Sequence, residues 1–126
     1  MTRSKSARIL AWLSALAFIV AAGLHAADYR AVVLQTQMAL GLLGPLVAAL
    51  WLSFAAAMLV LGAMVTLVAL GRVREGRWIL ALAGCLPLIT VVLQLYLLEF
   101  TRSTAMLAAV AVVSFGAAVV SPGKDA

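Results

Sequence analysis

The polar side chains best able to do chemistry in this sequence lie near the ends of long apolar runs. His25 is the sole histidine, and an imidazole can carry a proton because it titrates near neutral pH. A zinc site at His25 would need Asp28, Glu99 or water to complete its ligands. The simpler interpretation is an interfacial histidine that is hydrogen-bonded to Asp28 or Glu99.

Asp28 and Glu99 would form a pair of carboxylates suited to general acid–base work if the fold brought them together. Arg30 and Arg102, however, lie close to them in the sequence. Two local ion pairs at a membrane surface would account for all four charges. We therefore favour a protein that is not an enzyme, with no catalytic residue, no metal ligand and no cofactor.

Thr90 and Gln94 are four residues apart, so they share one face of a helix. An amide buried in hydrocarbon is costly unless it is paired, and Gln94 should therefore face other helices. It would either make a packing hydrogen bond or line a polar pocket. Antiparallel packing would bring several polar groups to the same depth, and the pocket predicted from them comprises His25, Asp28, Trp51, Ser53, Thr90, Gln94 and Glu99.

The composition indicates the medium in which these groups lie. The chain has 126 residues, of which 67% are hydrophobic and 10% are charged, whereas soluble domains carry about 25% charged residues. Backbone groups in hydrocarbon must be paired internally, and long apolar runs without alternation are typical of helices rather than barrels. We predict an all-α integral membrane protein. Its net charge of +5 suits lipid headgroups, and we predict no nucleic-acid partner.

A single domain, 1–126, is expected to contain four spans joined by short links, which favours an up-down-up-down bundle of four transmembrane helices. The first apolar run resembles a signal peptide in its basic flank, but its length favours a retained helix. Residues 31–43 would either lie in the interface or extend the second helix. The predicted spans are 9–27, 45–70, 78–98 and 104–120.

The link that carries Arg72, Arg74 and Arg77 orients the bundle, because basic residues in short links stay on the cytoplasmic side. In a four-span chain this link shares its side with both termini. We therefore predict cytoplasmic termini in a bacterial inner membrane, with these arginines as topology and lipid-headgroup anchors. The other basic residues on that side would be Arg3, Lys5, Arg8 and Lys124, against Arg30 and Arg102 on the opposite side.

Three sequence features resemble a pattern in small uncharacterised four-helix bacterial membrane proteins. They are Gly23-Leu24-His25 late in the first span, Leu50-Trp51-Leu52-Ser53 in the second and Gln94 late in the third. The resemblance implies four membrane helices and brings no activity with it.

Three functions are compatible with these features. The favoured one is a non-enzymatic assembly or accessory subunit, because alanine-rich faces let helices approach closely in lipid. Its partners would be the bilayer and either further copies of the chain or a larger membrane complex. The second function is an oligomeric small transporter or channel with an outward-facing polar vestibule. The third is a membrane enzyme that binds a lipid or quinone headgroup.

Overall fold

The computed structural model describes residues 3–97 and 102–121, and this part of the chain is helical apart from short connections. Four of its helices are long and apolar enough to cross a membrane. The all-α prediction of four packed apolar helices is therefore confirmed, and the chain is a small multi-pass membrane protein. The helices are α1 (Arg3–Ala27), α2 (Tyr29–Leu40), α3 (Gly44–Ala69), α4 (Gly76–Leu97) and α5 (Arg102–Val120).

The side-chain contacts show that successive long helices run antiparallel. In α1 and α3, a Cβ placed on Gly62 would lie 3.2 Å from the Phe18 Cβ, whereas Trp51, earlier in α3, meets His25, later in α1. The α1–α5 pair is joined by a hydrogen bond between the Ser14 and Ser114 hydroxyls. These contacts agree with the up-down-up-down course expected from the short links.

The helices are not arranged in their sequence order. Helices α1 and α5 pack against each other at the centre, α3 packs along α1, and α4 packs along α5. Helices α3 and α4 touch less, although they are consecutive spans, and Val68 lies against Gly76 where they meet. Small residues permit the close central approach, and the fully or nearly fully buried alanines of α1 and α5 are Ala11, Ala15, Ala21, Ala22, Ala111, Ala117 and Ala118.

The link between α3 and α4 begins with a Schellman turn, which is a frequent way to end a helix. Gly71 has a φ of 71°, in the left-handed region that glycine adopts without a Cβ clash. Its N–H donates to the Val68 carbonyl, and the Arg72 N–H donates to the Leu67 carbonyl. The last carbonyls of α3 are thus partly satisfied before the chain turns into α4.

Residues 31–43 belong mainly to a separate helix, rather than to an extension of the second span. A single turn residue, Asp28, separates α1 from α2, and a 3-10 turn over Gly41–Leu43 then leads to α3. Gly41 has a φ of 52°, which interrupts the helical path. We call residues 29–43 the arm, and it packs against the beginning of α3.

The arm lies at the end of the bundle opposite to the arginine link. About 20 residues cross a hydrocarbon core, and counting from Ile9 this length brings α1 to Asp28. The same count from Ala69 back along α3 ends near Trp51. The arm and the first turns of α3 lie outside this count, although the apolar stretches themselves continue over Lys5–Gln35 and Gly41–Ala69.

Candidate functional site

The best-defined polar contact among the candidate residues joins His25 of α1 to Trp51 of α3. The two rings stack with centroids 3.9 Å apart and planes 11° apart. The Trp51 indole N–H donates to the backbone carbonyl of His25 over 2.7 Å. Phe54, one turn further along α3, meets the imidazole at 4.9 Å in a tilted geometry. This aromatic cluster lies near the last residue of α1, Ala27.

One polar atom of this cluster has no partner. The Nε2 atom of His25 is buried, and it neither donates a hydrogen bond to nor accepts one from any residue in the described part of the chain. Buried polar groups are nearly always paired, and an exception calls for a physical explanation. Asp28, three residues later, is exposed. Nε2 is thus a point at which a small polar ligand or a water molecule would gain a hydrogen bond.

The polar residues of the third span are joined to α5 instead. The hydroxyl of Thr104 donates to the Gln94 side-chain carbonyl over 2.9 Å, and Thr104 is fully buried. Thr90, one turn before Gln94, donates its hydroxyl to the Leu86 carbonyl of its own helix. Gln94 therefore makes the kind of interhelical hydrogen bond that holds membrane helices together.

The structure brings residues of the predicted pocket into two separate pairs. His25 stacks on Trp51, and Gln94 is hydrogen-bonded to Thr104. Ser53 is exposed on α3 and donates its hydroxyl to the Ala49 carbonyl. Glu99 lies outside the described residues. Among the described residues, no group of three or more His, Cys, Asp and Glu side chains is placed to hold a metal ion. A single pocket formed by all seven residues stays a prediction.

The arginines predicted to anchor the bundle are exposed. Arg72, Arg74 and Arg77 project from the link between α3 and α4 or from the first turn of α4. They lie at the end of the bundle where α1 begins, because Arg74 and Arg77 line the same cavity as Arg8. This clustering is compatible with the expected anchoring at anionic headgroups.

Sequence reasoning missed two hydroxyl partners, Ser114 and Thr104. Ser114 lies within 2.6 Å of the Ser14 hydroxyl and also donates to the Val110 carbonyl. Both serines are fully buried between α1 and α5. The available signal was the presence of one serine in each of the predicted spans 9–27 and 104–120, since a hydroxyl in hydrocarbon gains by hydrogen-bonding to another helix.

Comparison with known proteins identifies no family. No protein-family model matches the chain, and neither a curated protein nor a solved structure matches it. The resemblance to small bacterial membrane proteins is therefore limited to the four apolar helices that the structure contains.

Proposed function

We propose that this protein is a non-enzymatic assembly or accessory subunit that associates with further copies of itself through the arm. The observation that carries the proposal is the exposure of apolar side chains in the arm, a segment that follows the ~20 residues that α1 needs to cross a hydrocarbon core. Leu42 is 99% exposed and Met38 is 89% exposed, and Leu34 and Leu43 are also exposed. Burying one such leucine side chain is worth about 1.5–3 kcal/mol.

The chemistry of the arm favours a second copy as the occupant. No formal charge occurs between Ala31 and Leu70, so the part of the arm after Arg30 adds no like-charge repulsion between two arms and offers no charge to a complementary partner. The side chains of Gln35 and Gln37 are exposed, and an amide is self-complementary because it both donates and accepts hydrogen bonds. Copies inserted in one direction also present their arms at the same height, as a closed cyclic assembly requires.

We further propose that the termini and the arginine link face the cytoplasm of a bacterial inner membrane. The support is the uneven distribution of basic residues, since Arg8, Arg74 and Arg77 share one end of the bundle. The arm then faces the opposite compartment, and copies assemble on that side.

The self-association is tested by measuring energy transfer between labelled copies in liposomes at increasing lipid dilution. Leu34→Ala and Leu42→Ala should each raise the apparent dissociation constant about tenfold or more. Leu59→Ala is the matched control, since Leu59 is exposed on α3 within the span and should leave association unchanged. Copies that stay monomeric at every dilution, or equal effects of all three variants, would refute the proposal.

The unpaired His25 Nε2 favours a second candidate function, the binding of a lipid or quinone headgroup by the aromatic cluster. A headgroup hydroxyl or carbonyl would supply the missing partner of that nitrogen. His25→Ala should then abolish headgroup binding or turnover while association through the arm persists. The Gln94→Leu variant should be measured together with His25→Ala. It tests whether Gln94 contributes to the same site or only to packing with Thr104.

A further inference from the structure

A cavity of about 180 Å³ lies at the end of the bundle opposite to the arm. It is on the order of ten times the ~15 Å³ that one water molecule requires. Four parts of the chain enclose it: the beginning of α1, the end of α3 with its link, the beginning of α4, and Ser121 after α5. We call it the basic cavity, because the charged residues that line it in the described part of the chain are Arg8, Arg74 and Arg77.

The three arginines come from distant parts of the sequence and are brought together by the fold. Arg8 belongs to α1, Arg74 to the link, and Arg77 to the first turn of α4. A link that served only to orient the protein would need basic residues on one side of the membrane. It would not need those residues to line the same cavity. Glu75, the acid of the same link, does not line the cavity.

The electrostatic character of the cavity is set by these side chains. Two helices, α1 and α4, begin at this end and two, α3 and α5, finish there, so the partial charges of the helix termini largely cancel. Three guanidinium groups around one space repel each other unless an anion neutralises them. A guanidinium offers a planar fork of donors that fits phosphate oxygens.

We propose that the basic cavity binds a phosphate group through Arg8, Arg74 and Arg77. The same chemistry is available from the headgroup of an anionic phospholipid and from a phosphate in solution. The cavity continues from the arginines to Ala11 and Ala69, which are buried between the helices. The site is independent of the arm.

The site is tested on the full chain in nanodiscs of phosphatidylcholine that contain a small fraction of phosphatidylglycerol, with lipid retained by the released protein quantified by native mass spectrometry. Arg74→Gln and Arg77→Gln should each lower the preference for phosphatidylglycerol about tenfold, the loss expected for a charge-assisted hydrogen bond. Arg72→Gln is the matched control, since Arg72 is exposed in the same link but does not line the cavity. It should cost at most about fivefold, through the general attraction of a basic residue to an anionic surface.

A competition with inorganic phosphate separates the two sources. If millimolar phosphate displaces phosphatidylglycerol from the wild-type protein, the cavity takes a free phosphate as well; if it does not, the ligand is the lipid headgroup. An equal loss of preference for the three glutamine variants would overturn the proposal, because only surface charge would then matter.

Should the glutamine variants fail to fold, the corresponding lysine variants decide, since lysine keeps the charge but not the fork. Weaker binding with Arg74→Lys and Arg77→Lys, but not with Arg72→Lys, supports the cavity. Unchanged binding in all three overturns it.

Discussion

Trp51 is fixed to His25 by two contacts that use different parts of the histidine. The rings stack, and the indole N–H donates to the His25 backbone carbonyl over 2.7 Å. Trp51→Phe keeps an aromatic ring and removes the donor, so we expect the free energy of unfolding to fall by about 0.5–1.5 kcal/mol. Unfolding by SDS in mixed micelles measures the change. Trp78→Phe is the control, since Trp78 is 64% exposed; a similar loss there would contradict the assigned role of Trp51.

Replacement of His25 itself should have a different outcome. His25→Phe retains the backbone carbonyl that Trp51 uses and a ring that can stack, and it removes the buried Nε2 atom that has no partner. An unsatisfied buried polar atom is costly, so we expect the variant to be as stable as the wild type or more stable. The same SDS unfolding measurement checks this expectation. A clear loss of stability would mean that Nε2 has a bound partner, such as a water molecule.

The Ser14–Ser114 hydrogen bond should couple α1 to α5. A double-mutant cycle with Ser14→Ala and Ser114→Ala is expected to give a coupling energy of about 0.6 kcal/mol, the average for interhelical hydrogen bonds in membranes. Each single change should be mild, because Ser114 also bonds to the Val110 carbonyl. The cycle Ser53→Ala with Ser114→Ala is the control, since Ser53 is exposed on α3. Additive effects in the first cycle would show that the two hydroxyls do not interact.

The four apolar helices and their bundle could be predicted from the sequence, because the lengths of apolar runs and the need to pair backbone groups decide them. Which helices pack against each other could not be predicted. Short links suggest that α3 and α4 are close partners, yet α1 and α5 form the central contact. That contact depends on which helix presents small residues and a serine toward another helix, as Ser14 and Ser114 do.

The same limit applies to the candidate site. The sequence places His25, Trp51 and Gln94 at a similar depth, but depth alone does not say which helices face each other. In the structure His25 pairs with Trp51, while Gln94 pairs with Thr104. The basic cavity could not be found from spacing, because Arg8 and Arg77 are brought together only by the packing of α1 with its neighbours.

Gly84 allows α4 to approach Phe115 of α5. A Cβ added at Gly84 would lie 3.1–3.2 Å from three atoms of the Phe115 ring, which is tight for a carbon contact. Gly84→Val should therefore separate α4 from α5 and lower the free energy of unfolding by about 1–3 kcal/mol, the usual cost of overpacking. Gly116→Val is the control, because a Cβ at Gly116 meets nothing within 4 Å. Equal destabilisation of both variants in SDS unfolding would refute the packing explanation.

The proposed orientation predicts which side of the membrane is accessible to a label. Cys85 is the sole cysteine, so a Cys85→Ala background is free of thiols and single cysteines can be introduced by Arg30→Cys and Arg72→Cys. Both positions are exposed, one in the arm and one in the arginine link. A membrane-impermeant maleimide should label the Arg30→Cys variant in intact cells and the Arg72→Cys variant only after lysis, because the arginine-rich end stays in the cytoplasm.

The labelling experiment has two internal checks. The Cys85→Ala background should remain unlabelled before and after lysis, and each variant should label fully once the membrane is opened. The reverse pattern would place the termini outside, and labelling of both variants in intact cells would indicate two insertion directions. Only the second result would also remove the support for arms meeting at a common height. The phosphate site would be unaffected, since Arg8, Arg74 and Arg77 line one cavity in either orientation.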